Sequence, residues 1–545
     1  MGAPHGVIAS RRAELAALAA QPVDLLVIGG GITGAGIARD AAMRGMAVAL
    51  VEERDLAWGT SSRSSRLIHG GLRYLEQRHL RLVFEAARER RILLDTASHL
   101  VWPLEFLFPI HQGDRVPRWQ LGAGLWLYDI LGLFRAGARH RMLGKRAALE
   151  AEPMLRERGL SGAALYGDAQ CDDARLVIAT ARAAIQYGAL VANYTAARAL
   201  VIENGRVCGA EVEDVLGGGR VTVRAAAVVN AAGPWSDAVR LMEDPEARPL
   251  LRTTRGVHVV VPRERIGHRH AITFLSPIDG RVMFILPWGE LSYIGTTDTE
   301  SHERPDAVGA SEADILYLLR SANARFPGAH LAEDDVISTW AGLRPLVRDG
   351  AGAASDNSRE HVIVDGRSRL ITVTGGKLTT YRSMAAEAVD HAIRSLPKKR
   401  RGGWPAESGT AREPLPGSEA RDLGAFRLQA TSAGLPADTV EHLLRHYGSE
   451  SAGIVNLGRG NRALFERLHP RHPAIAAEVI HAARRELAQT VEDVLVRRVH
   501  LRYELADHGA PAAARVAALL AAELGWDAER AAREAARYRE SVGGG

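Results

Sequence analysis

The chain has 545 residues, 46% of them hydrophobic and 24% charged, with a formal net charge of +5. That balance belongs to a globular protein of three or four structural units and excludes a disordered or coiled-coil chain. The two cysteines, Cys171 and Cys208, are too few and too far apart for a disulfide framework or a cysteine-ligated iron–sulfur cluster.

Met1–Gln21 carries no apolar export core, so a reducing cytoplasmic setting is expected. No uncharged apolar run reaches the roughly 18 residues of a membrane-spanning helix. No aromatic interleaving or binding motif accompanies the basic run Lys398–Arg401, so nucleic acid is not an expected partner. Of 69 basic residues only Lys145, Lys377, Lys398 and Lys399 are lysines, which makes a lysine inside a motif informative.

The strongest local signal is Asp24–Glu53. Leu25–Ile28 reads as a buried strand, Gly29–Gly34 as a G-x-G-x-x-G turn, and the stretch from Ile37 to Gly45 as a small-residue helix. Ala47–Val51 is a second strand, ending on Glu52. A glycine-rich strand-to-helix turn with an acid about 20 residues on predicts a βαβ dinucleotide site. Gly29 permits the tight turn, Gly31 lets a pyrophosphate approach the amides around Ile32 and Thr33, and Gly34 lets helix and strand pack closely. Glu52 accepts from ribose hydroxyls.

A hydroxyl-rich loop follows, Thr60, Ser61, Ser62, Ser65 and Arg66, leading through Leu67 and His69 to Gly70-Gly71. Trp119–Phe134 is flanked by Arg115, Arg118, Arg135, Arg139 and Arg141. It suits either a lipid interface or a packing helix with solvated ends. Strands are expected at Ala225–Val229, Val257–Val261, Val282–Leu286 and Ser292–Ile294, with the turn Asn230–Trp235 holding Ala232 and Gly233. A parallel-type strand, Leu370–Val373, ends in Gly375-Gly376-Lys377 before a helix from Thr380. Lys398–Arg401 reads as a solvated linker. Beyond it, Leu487, Val491, Val494, Leu495 and Val499 form one helical apolar stripe. No EF-hand loop occurs there, and no metal is expected.

Several of these strings resemble the FAD-dependent glycerol-3-phosphate dehydrogenase family of the D-amino-acid-oxidase-like flavoproteins. They are I-G-G-G-I-T-G-A-G-I-A from Ile28, T-S-S-R-S-S-R-L-I-H-G-G-L-R-Y-L from Thr60 and C-D-D-A-R-L from Cys171. N-A-A-G-P-W from Asn230, G-T-T-D from Gly295, G-L-R-P-L from Gly342, G-G-K-L-T-T-Y-R from Gly375 and E-D-V-L-V-R-R from Glu492 complete the set. The resemblance implies an α/β fold with an FAD-binding Rossmann-like βαβ domain, an antiparallel-sheet substrate domain and a C-terminal all-helical domain. The oxidoreductase region would span 22–395, with FAD-binding parts at about 22–80, 165–245 and 340–395. Substrate-domain parts would lie at about 81–164 and 246–339, a linker at 396–417, and the helical domain at 418–538.

The implied reaction is oxidation of sn-glycerol 3-phosphate to dihydroxyacetone phosphate by hydride transfer to FAD. Electrons would pass to a quinone, with the protein peripheral on the inner face of the cytoplasmic membrane; a homodimer stays open. Guanidinium and ammonium groups suit the phosphate dianion, which nominates Arg73 with Tyr74, Arg344, Arg359 and Lys377. A base is needed for the C2 hydroxyl: His258 is the first candidate and His69 the second, while Arg344 could polarise the hydroxyl. Gly376, Leu378 and Thr379, with Lys377, would aim donors at the flavin ring. Alternatives remain an amine or amino-acid oxidoreductase of the wider group, an oxygen-using glycerol-3-phosphate oxidase, an NAD-dependent dehydrogenase, and a non-catalytic flavin module.

Overall fold

The computed structural model describes residues 11–70, 80–131, 139–348, 361–401, 403–419 and 422–543. Gly71, Arg73, Tyr74 and Arg359, all nominated above, lie outside the described residues.

From β1 (Val23–Ile28) the chain turns into α1 (Ile32–Met43) and returns as β2 (Val48–Val51). It leaves through α2 (Leu80–Thr96) to β3 (Val101–His111), α3 (Arg118–Leu131) and β4 (Leu160–Cys171). Helix α4 (Asp173–Gln186) then brings it back to β5 (Leu190–Ala192) and β6 (Arg220–Asn230). Strands β7 (Leu251–Pro262), β8 (Ala271–Leu275), β9 (Val282–Trp288), β10 (Leu291–Gly295) and β11 (Ser338–Val347) belong to a second sheet. The first is rejoined by β12 (His361–Asp365), β13 (Ile371–Gly375) and α5 (Tyr381–Ser395). Among the helices that follow are α6 (Ala437–Tyr447) and α7 (Ala476–Arg485).

The first sheet runs β12–β13–β6–β1–β2–β5, parallel along this path except at β12–β13, and the outer part of β6 also pairs antiparallel with Arg206–Asp214. Its central strands are apolar on both faces because both are covered, one by helices and the other by an antiparallel extension holding Val207, Ala210, Val212 and Val223 together with Leu15 and Leu18 of an N-terminal helix. Val27, Leu50 and Val229 pack with Ala38 of α1, Leu176 of α4 and Ala385 of α5 in one core.

The second sheet runs β7–β10–β9–β8–β3–β4, with β11 on the other side of β7. It is antiparallel apart from β8 and β3, where Ala271 and Ile272 lie parallel to Phe106 and Leu107. The antiparallel substrate sheet expected from the sequence is present and carries this one parallel pair. The connection from β3 to β8 is a long crossover through the first sheet, which is how parallel neighbours must be joined.

Two local expectations change. Lys398–Arg401 forms one helical turn within the linker. The stripe from Leu487 to Val499 is buried throughout but is not one helix. Leu487 sits at φ 56, Asp493 Oδ2 accepts from the Gln489 and Thr490 amides at 2.8 and 3.1 Å, and Asp493–Arg498 is a π-helix. The widened turn presents Arg497 and Arg498 together to one acid.

That acid is Asp55, just after β2. Arg497 Nε donates to its Oδ2 at 2.5 Å and Arg498 Nη2 to its Oδ1 at 3.0 Å. Burial would raise the Asp55 carboxyl, but the two guanidiniums outweigh it and hold it below the usual carboxylate range. The helical C-terminal unit is joined apolarly as well: Val479, Leu495 and Val516 share a core with Val260, Trp288 and Trp340 of the second sheet.

Breaking a buried pair leaves a charge uncompensated and costs about 3–5 kcal/mol. Arg498→Met should lower stability by that order in thermal or denaturant melts. Adding Asp55→Asn should recover much of the loss; a single variant melting like the wild type would show that the cluster does not hold the unit.

Candidate active site

A cavity of about 290 Å³ runs from the β1–α1 turn to the start of α5. Its lining includes Glu52, Arg54 and Trp58 after β2, Gly31 and Thr33 at the β1–α1 turn with Ser61, and Gly376, Lys377 and Leu378 after β13. The glycines divide by role. A Cβ on Gly34 would stand 1.9 Å from the Gly29 carbonyl oxygen, so this glycine is needed for the fold itself. A Cβ on Gly31 would meet only Ser61 Oγ, at 3.1 Å, and would project into the cavity. Gly31 caps α1 without a side-chain hydrogen bond, and the Ile32 amide donates to Ser61 Oγ at 3.0 Å.

Glu52 is pushed up by burial, while the amides of Arg54 and Gly30 hydrogen-bond its carboxylate at 2.8 and 2.6 Å. It fixes the turn as well as facing the cavity. Trp58 and Trp235 have ring centroids 5.8 Å apart, and Arg54 lies 4.4 Å over Trp58. A helix N-terminus for phosphate, an acid for ribose and aromatic rings in the lining fit a flavin adenine dinucleotide in donor chemistry. Sequence reading missed Arg54, Trp58 and Trp235 as lining residues. The tryptophan of N-A-A-G-P-W was the available signal.

The second candidate region is one face of the second sheet. Phe284, Gly295, His258 and Trp340 are successive cross-strand partners on β9, β10, β7 and β11, so their side chains share a face. Arg344 is two pairs along on the same face, opposite Thr254. Two glycines make room: a Cβ on Gly295 would lie 2.1 Å from His258 Cδ2, and one on Gly256 would lie 2.3 Å from an Arg344 Nη. The His258 ring is 5.0 Å from Trp340 at 18°, and its Nε2 is 2.9 Å from Ser65 Oγ. Burial, then the Arg344 and Arg66 cations, push this imidazole well below its ordinary value, so it is neutral. Arg344 donates to Asp298 Oδ1, Thr296 Oγ1 and the Thr297 carbonyl at 3.1, 3.0 and 3.1 Å.

The loop 60–70 lies between the cavity and this face. Thr60 Oγ1 donates to the Leu343 carbonyl at 2.6 Å, and Trp340 Nε1 to the Ser64 carbonyl at 3.1 Å. Tyr293 donates to the Ser65 carbonyl at 3.0 Å. Ser64 donates through its amide and hydroxyl to Asp173 Oδ2, at 3.1 and 2.7 Å. At the far end the Gly70 amide donates to Tyr128 Oη at 2.9 Å, and Tyr128 in turn donates to Asp168. The His69 amide donates to Thr379 Oγ1 at 3.2 Å, and its ring meets Phe284 edge-on at 6.1 Å.

Of the cofactor residues nominated from sequence, Gly29, Gly31, Ile32, Thr33, Glu52, Thr60, Ser61, Ala232, Gly233, Gly376, Lys377 and Leu378 line the cavity. Gly34, Ser62, Ser65, Arg66, Leu67, His69, Gly70 and Thr379 do not. Arg66 is the clearest difference: it is buried 4.2 Å over Trp288 and 4.9 Å over Trp340, with Asp173 at 3.7 Å. Its cation supports the loop from behind. His258 and Arg344 stand together, while Lys377 is on the cavity wall.

Residues 24–382 match the family described as FAD dependent oxidoreductase, and residues 408–531 match the C-terminal domain of alpha-glycerophosphate oxidase. Glycerol-3-phosphate dehydrogenase 2 of Mycobacterium tuberculosis is 39% identical over 538 residues, covering 96% of this chain and 89% of that protein. The aerobic glycerol-3-phosphate dehydrogenase of Staphylococcus aureus is 37% identical over 483 residues, covering 87% and 86%. A solved glycerol-3-phosphate dehydrogenase from Bacillus halodurans, complexed with FAD, aligns with TM-score 0.80 at 31% identity, covering 98% of this chain and 97% of that one. An L-alpha-glycerophosphate oxidase from Mycoplasma pneumoniae shares the fold, with TM-score 0.55 at 18% identity over 70% of this chain and 98% of that one.

The two glycines separate folding from cofactor retention. Gly31→Val should give soluble, folded protein that lacks visible flavin absorbance. Gly34→Val should fail to fold, because its clash is with backbone. A Gly31→Val protein purified with full flavin would remove this turn from the cofactor site.

Proposed function

Because the chain belongs to the FAD-dependent glycerol-3-phosphate dehydrogenases, we propose that its second-sheet face and Lys377 act on sn-glycerol 3-phosphate, releasing dihydroxyacetone phosphate. The observation that carries this reading is the placement of His258 and Arg344 on one face, behind the loop that walls the cofactor cavity. Bound FAD supplies the two-electron acceptor for the hydride that leaves substrate C2.

The rest falls to the chain's own groups. Loss of the C2 hydride and the hydroxyl proton turns the C–O bond into a carbonyl. Arg344 is held by Asp298 and two threonines, so its charge stays fixed beside the substrate and lowers the hydroxyl's pKa. His258 Nε2 takes the proton; it already faces a hydroxyl, Ser65 Oγ, at 2.9 Å. An imidazole kept below its ordinary pKa is available as a neutral base at pH 7 and gives the proton up readily afterwards. Lys377, with the arginines of the site, grips the phosphate as a compact charge. His69, against Phe284, contributes to the wall.

Two variants separate grip from proton removal. Losing a charged hydrogen bond costs about 1.5–3 kcal/mol, or roughly 10- to 150-fold in affinity. Lys377→Met should raise the glycerol 3-phosphate concentration needed for anaerobic flavin bleaching by that factor and leave weak bleaching by glycerol unchanged. His258→Ala should slow stopped-flow bleaching by about 10²–10⁴-fold for both substrates, with recovery as pH rises and solvent takes the proton. Since the folded pKa lies below 6.5, the wild-type rate should stay level from pH 8 down to 6.5 and fall only in more acid solution. Bleaching at the wild-type rate in His258→Ala would return the histidine to a structural role.

The acceptor proposed is a membrane quinone, reached through α3. Leu121, Leu125 and Tyr128 face inward, while Trp119, Trp126 and Ile130 are 76%, 51% and 52% exposed. Exposed Arg115, Arg118 and Arg139 flank the helix. Large apolar side chains rimmed by arginines suit an anionic lipid surface, and no helix among the described residues is long and apolar enough to cross a membrane. The protein should bind anionic vesicles at low salt and reduce a quinone analogue there faster than it forms peroxide. Trp126→Ser with Ile130→Ser should abolish vesicle binding while anaerobic bleaching stays normal. Unchanged binding in that variant would exclude α3 as the contact.

A further inference from the structure

Outside the lining of the cofactor cavity, Asp172, His446 and His500 meet in the interior, their ligand atoms all within 4.8 Å of one another. Asp172 precedes α4 and caps it, its Oδ1 accepting from the Arg175 amide at 3.1 Å. The other oxygen, Oδ2, faces both imidazoles: His500 Nε2 at 2.7 Å and His446 Nε2 at 3.9 Å. Each ring is fixed the same way. His446 Nδ1 is 2.9 Å from the His442 carbonyl, and His500 Nδ1 is 3.0 Å from the Val496 carbonyl. An Nδ1–H committed to a carbonyl leaves Nε2 as the lone-pair nitrogen, which is how metal-binding histidines are oriented.

An ion pair between Asp172 and protonated His500 would explain the short contact, but not His446. Its Nε2 is buried and has no hydrogen-bond partner, although it points at the same carboxylate oxygen. His500 also holds φ +58, a left-handed conformation that a non-glycine residue adopts at some cost, and this aims its ring. Two nearby cations are occupied, Arg175 by Glu486 at 2.6 Å and Arg66 facing Asp173 at 3.7 Å, and a third, Arg445, lies 4.0 Å over the Trp102 ring.

We propose that Asp172, His446 and His500 bind one divalent transition-metal ion, zinc or a similar imidazole-preferring cation. Tetrahedral zinc with bonds of about 2.0–2.2 Å sets ligand atoms roughly 3.3 Å apart, between the 2.7 and 3.9 Å seen here. Two imidazoles and one carboxylate favour Zn²⁺, Ni²⁺ or Cu²⁺ over the oxygen-seeking Mg²⁺ and Ca²⁺. The ligands come from α4's cap, from α6 and from the segment after the π-helix. The ion would therefore clamp the C-terminal unit onto the cofactor domain, adjacent to Asp173, which holds the Ser64 loop. The site is independent of the proposed reaction.

The test uses flavin-loaded, tag-free protein stripped with chelator and titrated with Zn²⁺ alone against a competing chromogenic chelator. One ion per chain should bind more tightly than micromolar, Mg²⁺ should not compete, and the melting temperature should rise. Loss of an orienting partner costs about 10- to 100-fold in metal affinity, so His446→Ala, which removes a ligand, should weaken binding at least 100-fold. That variant keeps the Asp172–His500 contact, so it should fold, retain flavin and lose the zinc-dependent rise in melting. His500→Gln should weaken zinc binding similarly. Less than a tenth of an ion bound by the wild type, or one bound equally well by His446→Ala, would overturn the proposal.

Discussion

The structure depends on how the loop from Thr60 to Gly70 satisfies its backbone. It has only one short 3₁₀ turn and a two-residue strand, yet it runs between two sheets with Ser62, Arg66, Leu67, Ile68 and Gly70 buried. Buried carbonyls and amides must then find partners elsewhere. The Ser64 and Ser65 carbonyls take Trp340 and Tyr293 from the second sheet, and the Arg66 carbonyl takes the Cys171 amide. The Ser64 amide takes Asp173 at the start of α4. Each bond joins the loop to a different element, so the two sheets cannot shift independently without leaving buried groups unpaired. One face of this strap lines the cofactor cavity through Thr60, Ser61 and Ser64; the other presents Ser65 to His258.

The βαβ unit was legible because its signal is local: strand, glycines, helix and acid follow within thirty residues, and Gly34 is required by its contact with Gly29 inside that unit, while Gly29 is also pressed from outside it by the Ala231 backbone. The hydroxyl loop was legible as a site component but not in its division of labour. Ser64, which sequence reading passed over, lines the cavity, while Ser62, Arg66 and Leu67 turn inward. Alternation along the loop could not reveal this, since it is not a strand. His258 and Arg344 became candidates only through resemblance. What joins them is the β7–β11 register, a pairing across more than eighty residues that no local pattern encodes. Asp55 with Arg497 and Arg498, and Asp172 with His446 and His500, were invisible for the same reason. Charges in an arginine-rich chain read as surface, and only the fold shows these to be buried.

The packing of α3 joins the surface to the strap. Leu121, Leu125 and Tyr128, at positions i, i+4 and i+7, form the inner stripe of an amphipathic helix whose outer face is apolar as well. Tyr128 closes that apolar stripe. Its hydroxyl accepts from the Gly70 amide, donates to Asp168 at 2.9 Å and accepts from Arg90 at 3.0 Å, all in the interior. A Cβ on Gly70 would stand 2.6 Å from that oxygen, so loop and helix touch without slack. Sliding the helix would strip several buried groups of their partners, at about 1–3 kcal/mol each. The helix is thus locked to the loop beside His69, and any surface that captures Trp126 and Ile130 holds the end of the strap as well. The same rigidity explains why two readings of the segment from Trp119, interface or packing helix, need not compete over its described part: one face of α3 does the packing and leaves Trp126 and Ile130 exposed on the other.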